Sequence, residues 1–130
     1  MKKERWVTIE DYPDYLVSTF GRIKSKRWGK KISILTPLKH PNGYLTIYLY
    51  KDGHKRKNIR IHRLVANMFI VNKDNKKFIN HKNGNKIDNR IENLEWVNKS
   101  ENLKHTYKLG LRKYNLVNAH KALKIWRKNQ

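Results

Sequence analysis

The chain has 130 residues, no cysteine and a formal net charge of +21, from 31 lysines and arginines against 10 acidic residues. This length suits one compact domain or two small modules. The lack of cysteine excludes disulfides, thiolate zinc sites and cysteine hydrolases. So large a positive charge destabilises a compact fold by self-repulsion, and a polyanionic partner is the usual reason for keeping it.

The apolar residues are scattered rather than gathered into one long run, which favours nucleic acid over a membrane as that partner. The basic start is followed by polar and acidic residues 4–14, so we expect no signal peptide. Neither a glycine-rich phosphate loop nor a cofactor fingerprint is present, which leaves a metabolic enzyme or a structural protein without support. We therefore expect an intracellular, soluble protein that binds nucleic acid.

The first 57 residues are typical of a β-rich module. Residues 6–9 and 15–18 predict strands on either side of a loop that carries Pro13, and residues 22–25 continue the sheet after a break at Phe20 and Gly21. Residues 31–38 and 44–51 predict two more strands around the turn signal of residues 41–43. A turn at Asp52 and Gly53 then leads to a partner strand over residues 55–61.

One face of the predicted strand 44–51 is rich in tyrosine: Tyr44, Thr46, Tyr48 and Tyr50 alternate with Leu45, Ile47 and Leu49. This face can stack on bases or contact a groove. The alternative, which we favour for any single tyrosine, is a half-buried sheet surface with wet hydroxyls.

Lysines and arginines interleaved with these strands are the better candidates for DNA contacts. Singly, each is more typical of a solvated charge, but together they supply salt-sensitive binding to phosphates. They are Arg22, Lys24, Lys26, Arg27, Lys30, Lys31, Lys39, Lys55, Arg56 and Lys57.

Residues 61–69 change period, with apolar residues at helical spacing that predict one helix packed on the next segment of the chain. His62 lies at its start. It can be taken for a catalytic group, but a polar residue that fixes the strand-to-helix corner is the favoured interpretation.

Residues 78–102 carry the chemistry. A short apolar run leads into Asn80 and His81, and a loop dense in Asn, Gly, Lys and Asp separates them from Asn93, Leu94 and a small apolar cluster. Asn102 follows Asn93 by nine residues, at the start of a helix. An imidazole beside one oxygen ligand, with a second on a following helix, is what single-metal phosphodiester cleavage needs.

This stretch resembles the HNH (ββα-metal) nucleases, in particular the small HNH homing endonucleases of bacteriophages and introns. The resemblance implies that His81 is the general base and that Asn93 holds the loop. It also implies that Asn80 and Asn102 bind one divalent ion, Mg²⁺ or Mn²⁺. Asn80 stands where the family commonly has an aspartate, although an amide still offers an oxygen.

Two other groups of the stretch are open to alternative interpretations. Asp88 is a spare metal ligand or, as we favour, an acid that caps the loop. His105 contacts the scissile phosphate or faces solvent near bound DNA. Ser100 is predicted to be the N-cap of the helix that carries Asn102.

After Glu101 the chain has no acidic residue. Residues 109–111 break the helix, and residues 115–128 predict a basic amphipathic helix for a membrane, a partner or DNA. The resemblance favours DNA or a dimer contact, which makes Lys121, Lys124 and Arg127 candidates for DNA binding.

The resemblance extends upstream over most of the chain and implies an α+β fold. We expect a β-rich antiparallel DNA-binding module over residues 1–57, an HNH nuclease domain over residues 58–108 and a C-terminal helix over residues 109–130. The implied function is nicking or double-strand cleavage of double-stranded DNA, by a monomer or a homodimer, in the cytoplasm of a bacterial host. The alternative is a non-catalytic nucleic-acid-binding protein of the same fold or an unrelated basic one.

Overall fold

The structure is a computed structural model, and it describes residues 3–29 and 31–108. These residues form two α-helices, α1 (Ile61–Phe69) and α2 (Lys99–Lys108), and a 3₁₀ turn at Ile91–Asn93. They also form the strands β1 (Trp6–Ile9), β2 (Tyr12–Ser18), β3 (Ile23–Ser25), β4 (Ser33–Ile34), β5 (Leu38–Lys39), β6 (Leu45–Leu49), β7 (Lys57–Arg60), β8 (Phe78–His81) and β9 (Leu94–Val97). The predicted α+β class is confirmed, and the strands pair antiparallel throughout the described range.

The first sheet has the order β1-β2-β3-β4. Its second strand begins at Tyr12, earlier than the alternation from residue 15 predicted, and so includes Pro13. The register of β1 and β2 shifts between Thr8 and Ile9. Such an irregularity is where a strand accommodates a proline, which has no N–H to give to the ladder.

The single strand predicted over residues 31–38 is wrong. The segment supplies β4 to the first sheet and β5 to a second sheet, of order β5-β6-β7. Pro37 separates the two short strands: its ring removes a ladder donor and restricts the backbone of Thr36 before it. The chain therefore passes from one sheet to the other at this point.

Helix α1 lies at the centre of the molecule and contacts strands of all three sheets, including both strands of the β8–β9 hairpin. Ile61 and Val65 are fully buried on it, as the helical apolar spacing predicted, and Ala66 is fully buried as well. They share one core with residues of each sheet, among them Val17, Leu49 and Leu94. The N-terminal sheets and the hairpin are thus packed on a common helix.

The last described element, α2, begins after a reciprocal pair of hydrogen bonds. The backbone N–H of Glu101 donates to Oδ1 of Asn98 at 2.9 Å, and the backbone N–H of Asn98 donates to Oε1 of Glu101 at 3.1 Å. This is a capping box, so Asn98 is the N-cap and the prediction of Ser100 is wrong. Neither described helix is long and apolar enough to cross a membrane.

Candidate active site

The β8–β9 hairpin places Asn80 and His81 together at the end of β8. The strand register sets Asn80 opposite Glu95 and His81 opposite Leu94. Both side chains are buried, with 6% and 5% of their surface exposed. A polar pair so deeply buried must be hydrogen-bonded to be tolerated, and each member has a partner.

The partner of Asn80 is Glu95. The Asn80 amide nitrogen donates to Glu95 Oε1 at 2.9 Å. Because the nitrogen is held by a carboxylate, the orientation of the amide is fixed and Oδ1 is the atom left for a cation.

The partner of His81 is Asn89, in the loop between the two strands. Nε2 of His81 donates to Oδ1 of Asn89 at 2.8 Å. An amide oxygen only accepts hydrogen bonds, so the ring carries its proton on Nε2 and keeps a lone pair on Nδ1. Burial lowers the pKa of His81 below its ordinary value, opposed by the hydrogen bond to Asn89 and the charge of Asp88. The ring is therefore a neutral base near pH 7.

Asn93 joins the ends of the loop that follows His81. Its amide nitrogen donates to Asn83 Oδ1 at 3.0 Å and to the Asp88 carbonyl at 2.9 Å, while its Oδ1 accepts from the backbone N–H of Asn83 at 3.0 Å. The backbone N–H of Lys82 donates to the Asn93 carbonyl at 2.7 Å. One side chain thus closes the loop upon itself.

Asp88 is engaged by the loop itself. It accepts from Arg90 Nε and Nη2 at 2.8 Å each and from the amide of Asn83 at 3.0 Å. The hydrogen bond from Arg90 lowers the pKa of Asp88 to about 2, so the carboxylate is ionised but already paired. This geometry is that of a loop-capping acid.

A stack of rings lies beside His81. The centroid of the His62 ring lies 5.1 Å from that of His81. On its other neighbour, Tyr44, the His62 ring is stacked at a centroid distance of 4.8 Å. His62 is 5% exposed, its Nδ1 has no hydrogen-bond partner among the described atoms, and burial lowers its pKa to about 3. His62 is thus a neutral packing partner of His81, at the strand-to-helix corner that the sequence predicted for it.

Helix α2 carries the second predicted ligand. Asn102 lies in its first turn and is partly exposed, and its backbone N–H donates to the Asn98 carbonyl at 3.0 Å. The helix contacts β8, and His105 Nε2 donates to the carbonyl of Lys82 at 2.8 Å. His105 therefore fastens α2 to the residue that follows His81.

A divalent ion is implied by this kind of site. Among the described residues, no group of three His, Cys, Asp or Glu side chains could hold one. The donors that fit are amide oxygens, namely the fixed Oδ1 of Asn80 and the amide of Asn102 on the neighbouring helix. Neutral oxygen donors suit a hard cation such as Mg²⁺ or Mn²⁺ rather than zinc.

Most of the predicted DNA-binding cations that the structure describes are solvent-exposed or lie over aromatic rings. Lys26, Lys31, Lys55 and Lys57 are exposed. Four others lie over aromatic rings: Lys24 and Arg22 are 4.0 and 5.8 Å from the Trp6 centroid, Arg27 is 4.9 Å from that of Trp28, and Arg56 is 4.2 Å from that of Tyr48.

Two of the predicted cations that the structure describes are also salt-bridged. Arg27 is held between Asp14 and Asp52 at 2.9 and 2.8 Å, with 14% of its side chain exposed. Arg22 pairs with Glu4. Lys30, Lys121, Lys124 and Arg127, with the predicted helix over residues 115–128, lie outside the described residues.

Sequence reasoning missed Asn89 and Glu95 as members of the site. Asn89 stood in an Asn- and Asp-rich run that predicted only a tight loop, and Glu95 stood in an apolar cluster. Strand pairing was the one signal that could have found Glu95, because the register of the β8–β9 hairpin places it opposite Asn80.

A two-stranded hairpin with a closed loop, a His at the end of its first strand and a helix packed on it define the ββα-metal class of nucleases. Residues 59–104 match the family model "HNH endonuclease", and residues 4–50 match the NUMOD4 motif. DNA endonuclease I-HmuI of Bacillus phage SP01 is 35% identical over 126 residues, which cover 96% of this chain and 68% of that protein. The chain belongs to the HNH homing endonuclease family.

A solved structure supports the same assignment. The chain in "DNA binding and cleavage by the HNH homing endonuclease I-HmuI" is similar with a TM-score of 0.73 and 34% identity, over 97% of this chain and 68% of that one. Two HNH endonucleases of Acanthamoeba polyphaga mimivirus are 44% and 36% identical but much longer, and the chain spans 26% and 33% of their lengths.

Proposed function

We propose that the protein is a divalent-metal-dependent endonuclease that hydrolyses phosphodiester bonds of double-stranded DNA. The observation that carries the proposal is the state of His81: buried, neutral and hydrogen-bonded through Nε2, so that Nδ1 is free to accept a proton. It sits beside Asn80 at the end of β8, where the family resemblance requires the general base. Asn93 keeps the intervening loop closed around this pair.

The chemistry assigned to His81 is proton removal from water. Water attacks phosphorus in line and must lose a proton as the new bond forms, and a neutral imidazole is suited to take it near pH 7. The proton passes to Nδ1, and the hydrogen bond from Nε2 to Asn89 stabilises the imidazolium that results. Asn80 and Asn102 would hold the divalent ion, which when bound neutralises charge on the phosphate and on the leaving oxygen.

DNA binding falls to the N-terminal sheets in this proposal. The exposed lysines of residues 26–57 contact phosphates in this proposal. The predicted division at residues 57 and 58 falls after the first residue of β7, so β7 continues from the DNA-binding module into the nuclease domain. The phage and viral sources of the relatives favour action inside a host cell.

Plasmid cleavage tests the proposal. Supercoiled plasmid is incubated with wild type in Mg²⁺, in Mn²⁺ and in chelator, and His81→Ala is compared with His54→Ala, which changes an exposed histidine of a turn. We expect metal-dependent cleavage by wild type and His54→Ala, and a rate for His81→Ala lower by roughly 10²- to 10⁴-fold with DNA binding retained. Nicked product indicates action by a monomer, and linear product indicates a dimer.

Two results would overturn the proposal. Full cleavage by a folded His81→Ala variant would refute the assignment of His81 as the general base. DNA binding by wild type without cleavage in either metal would support the alternative, a non-catalytic DNA-binding protein of this fold.

A further inference from the structure

Asn89 is a buried polar residue whose side chain has one hydrogen bond in the described structure. It is 3% exposed, and its Oδ1 accepts from His81 Nε2 at 2.8 Å. Its amide nitrogen is buried and has no partner among the described atoms. A buried donor without a partner destabilises a fold, so an apolar residue of similar size would suit this place better on stability alone. The contact with His81 is therefore the feature that the asparagine supplies.

That contact decides which nitrogen of His81 can act. A neutral imidazole has one N–H, and either nitrogen can carry it in water. An acceptor on Nε2 keeps the proton there and the lone pair on Nδ1, which also fixes the rotation of the ring. Without the acceptor, a fraction of the molecules would carry the proton on Nδ1 and could not remove one from water.

Asn89 is held in place by the N-terminal sheet. Gly21, in the turn between β2 and β3, has φ +82°, and a Cβ atom placed on it would lie 2.8 Å from both Cβ and the carbonyl oxygen of Asn89. The backbone N–H of Ile91 donates to the carbonyl of Thr19, in the same turn, at 3.0 Å. The turn thus touches the loop on both sides of Arg90.

We propose that Asn89 is a positioning residue that sets the tautomer of His81, and that the β2–β3 turn at Gly21 sets the position of Asn89. The proposal rests on the nuclease function proposed above. Under this proposal the N-terminal sheet has two roles: it binds DNA, and it holds the loop that positions His81.

Nitrogen NMR of the imidazoles tests the first half, because the shifts of the two ring nitrogens report which one is protonated. His81 is assigned by the signal lost in His81→Ala. We expect Nε2–H in wild type and in Asn89→Asp, which keeps an acceptor oxygen, and a mixture of tautomers in Asn89→Leu. The single-turnover rate of Asn89→Leu at saturating protein should fall about 10- to 100-fold, by analogy with the loss when the partner that orients a metal-binding imidazole is removed, with Kd for DNA unchanged.

The outcomes separate the two proposals. Retention of Nε2–H in Asn89→Leu overturns the positioning role, whatever the rate does, as does a mixture of tautomers at the wild-type rate. Should Asn89→Leu fail to fold, Asn89→Ala is judged by the same two readouts. Absence of cleavage by wild type refutes the nuclease, while the NMR measurement still tests the contact.

Two glycine variants test the second half. Gly53 has φ +78°, close to that of Gly21, and nothing lies within 4 Å of a Cβ placed on it. Gly21→Ala and Gly53→Ala therefore carry the same backbone strain, and only the first pushes on Asn89. We expect Gly21→Ala to show mixed tautomers and a reduced single-turnover rate, and Gly53→Ala to match wild type. Equal behaviour of the two variants overturns the role of the turn.

Discussion

The amide nitrogen of Asn80 donates a hydrogen bond to the carboxylate of Glu95 at 2.9 Å, across the β8–β9 hairpin. The carboxylate of Glu95 thus lies beside Asn80, the position at which the family commonly has an aspartate as a metal ligand. Glu95 fixes the amide so that its oxygen is available, and it adds negative charge close to the proposed cation. Where this chain has Asn80 in place of the family's aspartate, a carboxylate is present at Glu95 on the opposite strand.

Glu95→Ala should weaken metal binding although Asn80 and Asn102 are unchanged. Without Glu95 the Asn80 amide is free to rotate, and the site loses a neighbouring charge. Loss of a group that orients a ligand typically costs about 10- to 100-fold in metal affinity. Titration of Mn²⁺ by electron paramagnetic resonance measures the affinity directly. Glu92→Ala, which removes an acid paired with Arg90 at 3.6 Å, is the matched control and should bind Mn²⁺ as wild type does. Equal affinities for the two variants would rule out this role of Glu95.

Asn80→Asp should create a site that needs its metal for stability. The new carboxylate would face Glu95 where a donor now stands, and like charges at hydrogen-bond distance repel. Thermal melts in chelator should therefore give a lower Tm than wild type, and Mg²⁺ should raise the Tm by more than it does for wild type. At saturating Mg²⁺ the variant should cleave at least as fast as wild type, since a carboxylate binds a hard cation more strongly than an amide does.

The double variant Asn80→Asp, Glu95→Gln is the control for this repulsion, because a glutamine amide can donate to the new carboxylate. It should recover the wild-type Tm in chelator. An unchanged Tm for the single variant would mean that the two side chains do not face each other.

The local patterns of the chain predicted its elements well, and contacts between elements accounted for what was missed. The helical stripe of residues 61–69 and the alternation of residues 44–51 each reflect one buried face, which a single sequence displays. Residues 31–38 are divided between two sheets because β4 pairs with β3 before Pro37 and β5 pairs with β6 after it. The apolar periodicity of the segment does not predict these partners.

The site shows the same contrast. His81, Asn80 and Asn102 were singled out by the resemblance of residues 78–102 to the HNH nucleases, and their roles stay predictions. Asn89 and Glu95 act through contacts set by the loop closure at Asn93 and by the register of the hairpin. In the sequence, an asparagine of this loop that contacts water cannot be distinguished from one that contacts His81, as Asn89 does.

Binding to DNA should weaken steeply with salt, because the net charge of +21 predicts that most of the affinity comes from phosphates. A protein that neutralises six or more phosphates loses roughly 10³-fold or more in affinity between 50 and 200 mM salt. Lys26 and Arg27 offer a neighbouring pair for comparison, since Lys26 is exposed and Arg27 is held by Asp14 and Asp52.

Lys26→Ala should reduce the slope of log Kd against log salt by about one, as one lost phosphate contact does. Arg27→Ala should leave the slope unchanged and lower the Tm, because it leaves two carboxylates without their partner. Fluorescence anisotropy over a salt series gives the slopes, and affinity that is flat with salt would contradict the phosphate-dominated binding.

His62 should make the fold sensitive to acid. Its ring is buried between Tyr44 and His81, and burial lowers its pKa from 6.5 to about 3, with the charges of His81, Arg63 and Arg60 acting in the same direction. Between these two values the unfolded chain binds a proton at His62 that the folded chain does not. Stability is therefore complete above about pH 6.5 and falls as the pH is lowered toward 3, by up to about 1.4 kcal/mol per pH unit.

His62→Phe isolates this contribution, because phenylalanine keeps a ring against Tyr44 and cannot titrate. Urea unfolding at a series of pH values should show a shallower loss of stability for His62→Phe than for wild type between pH 6 and 4. His81, whose pKa is also lowered by burial, remains in both proteins and accounts for part of the residual slope. Parallel curves for the two proteins would show that His62 titrates in the folded state as it does in water. The ring would then lie in contact with solvent rather than buried against His81.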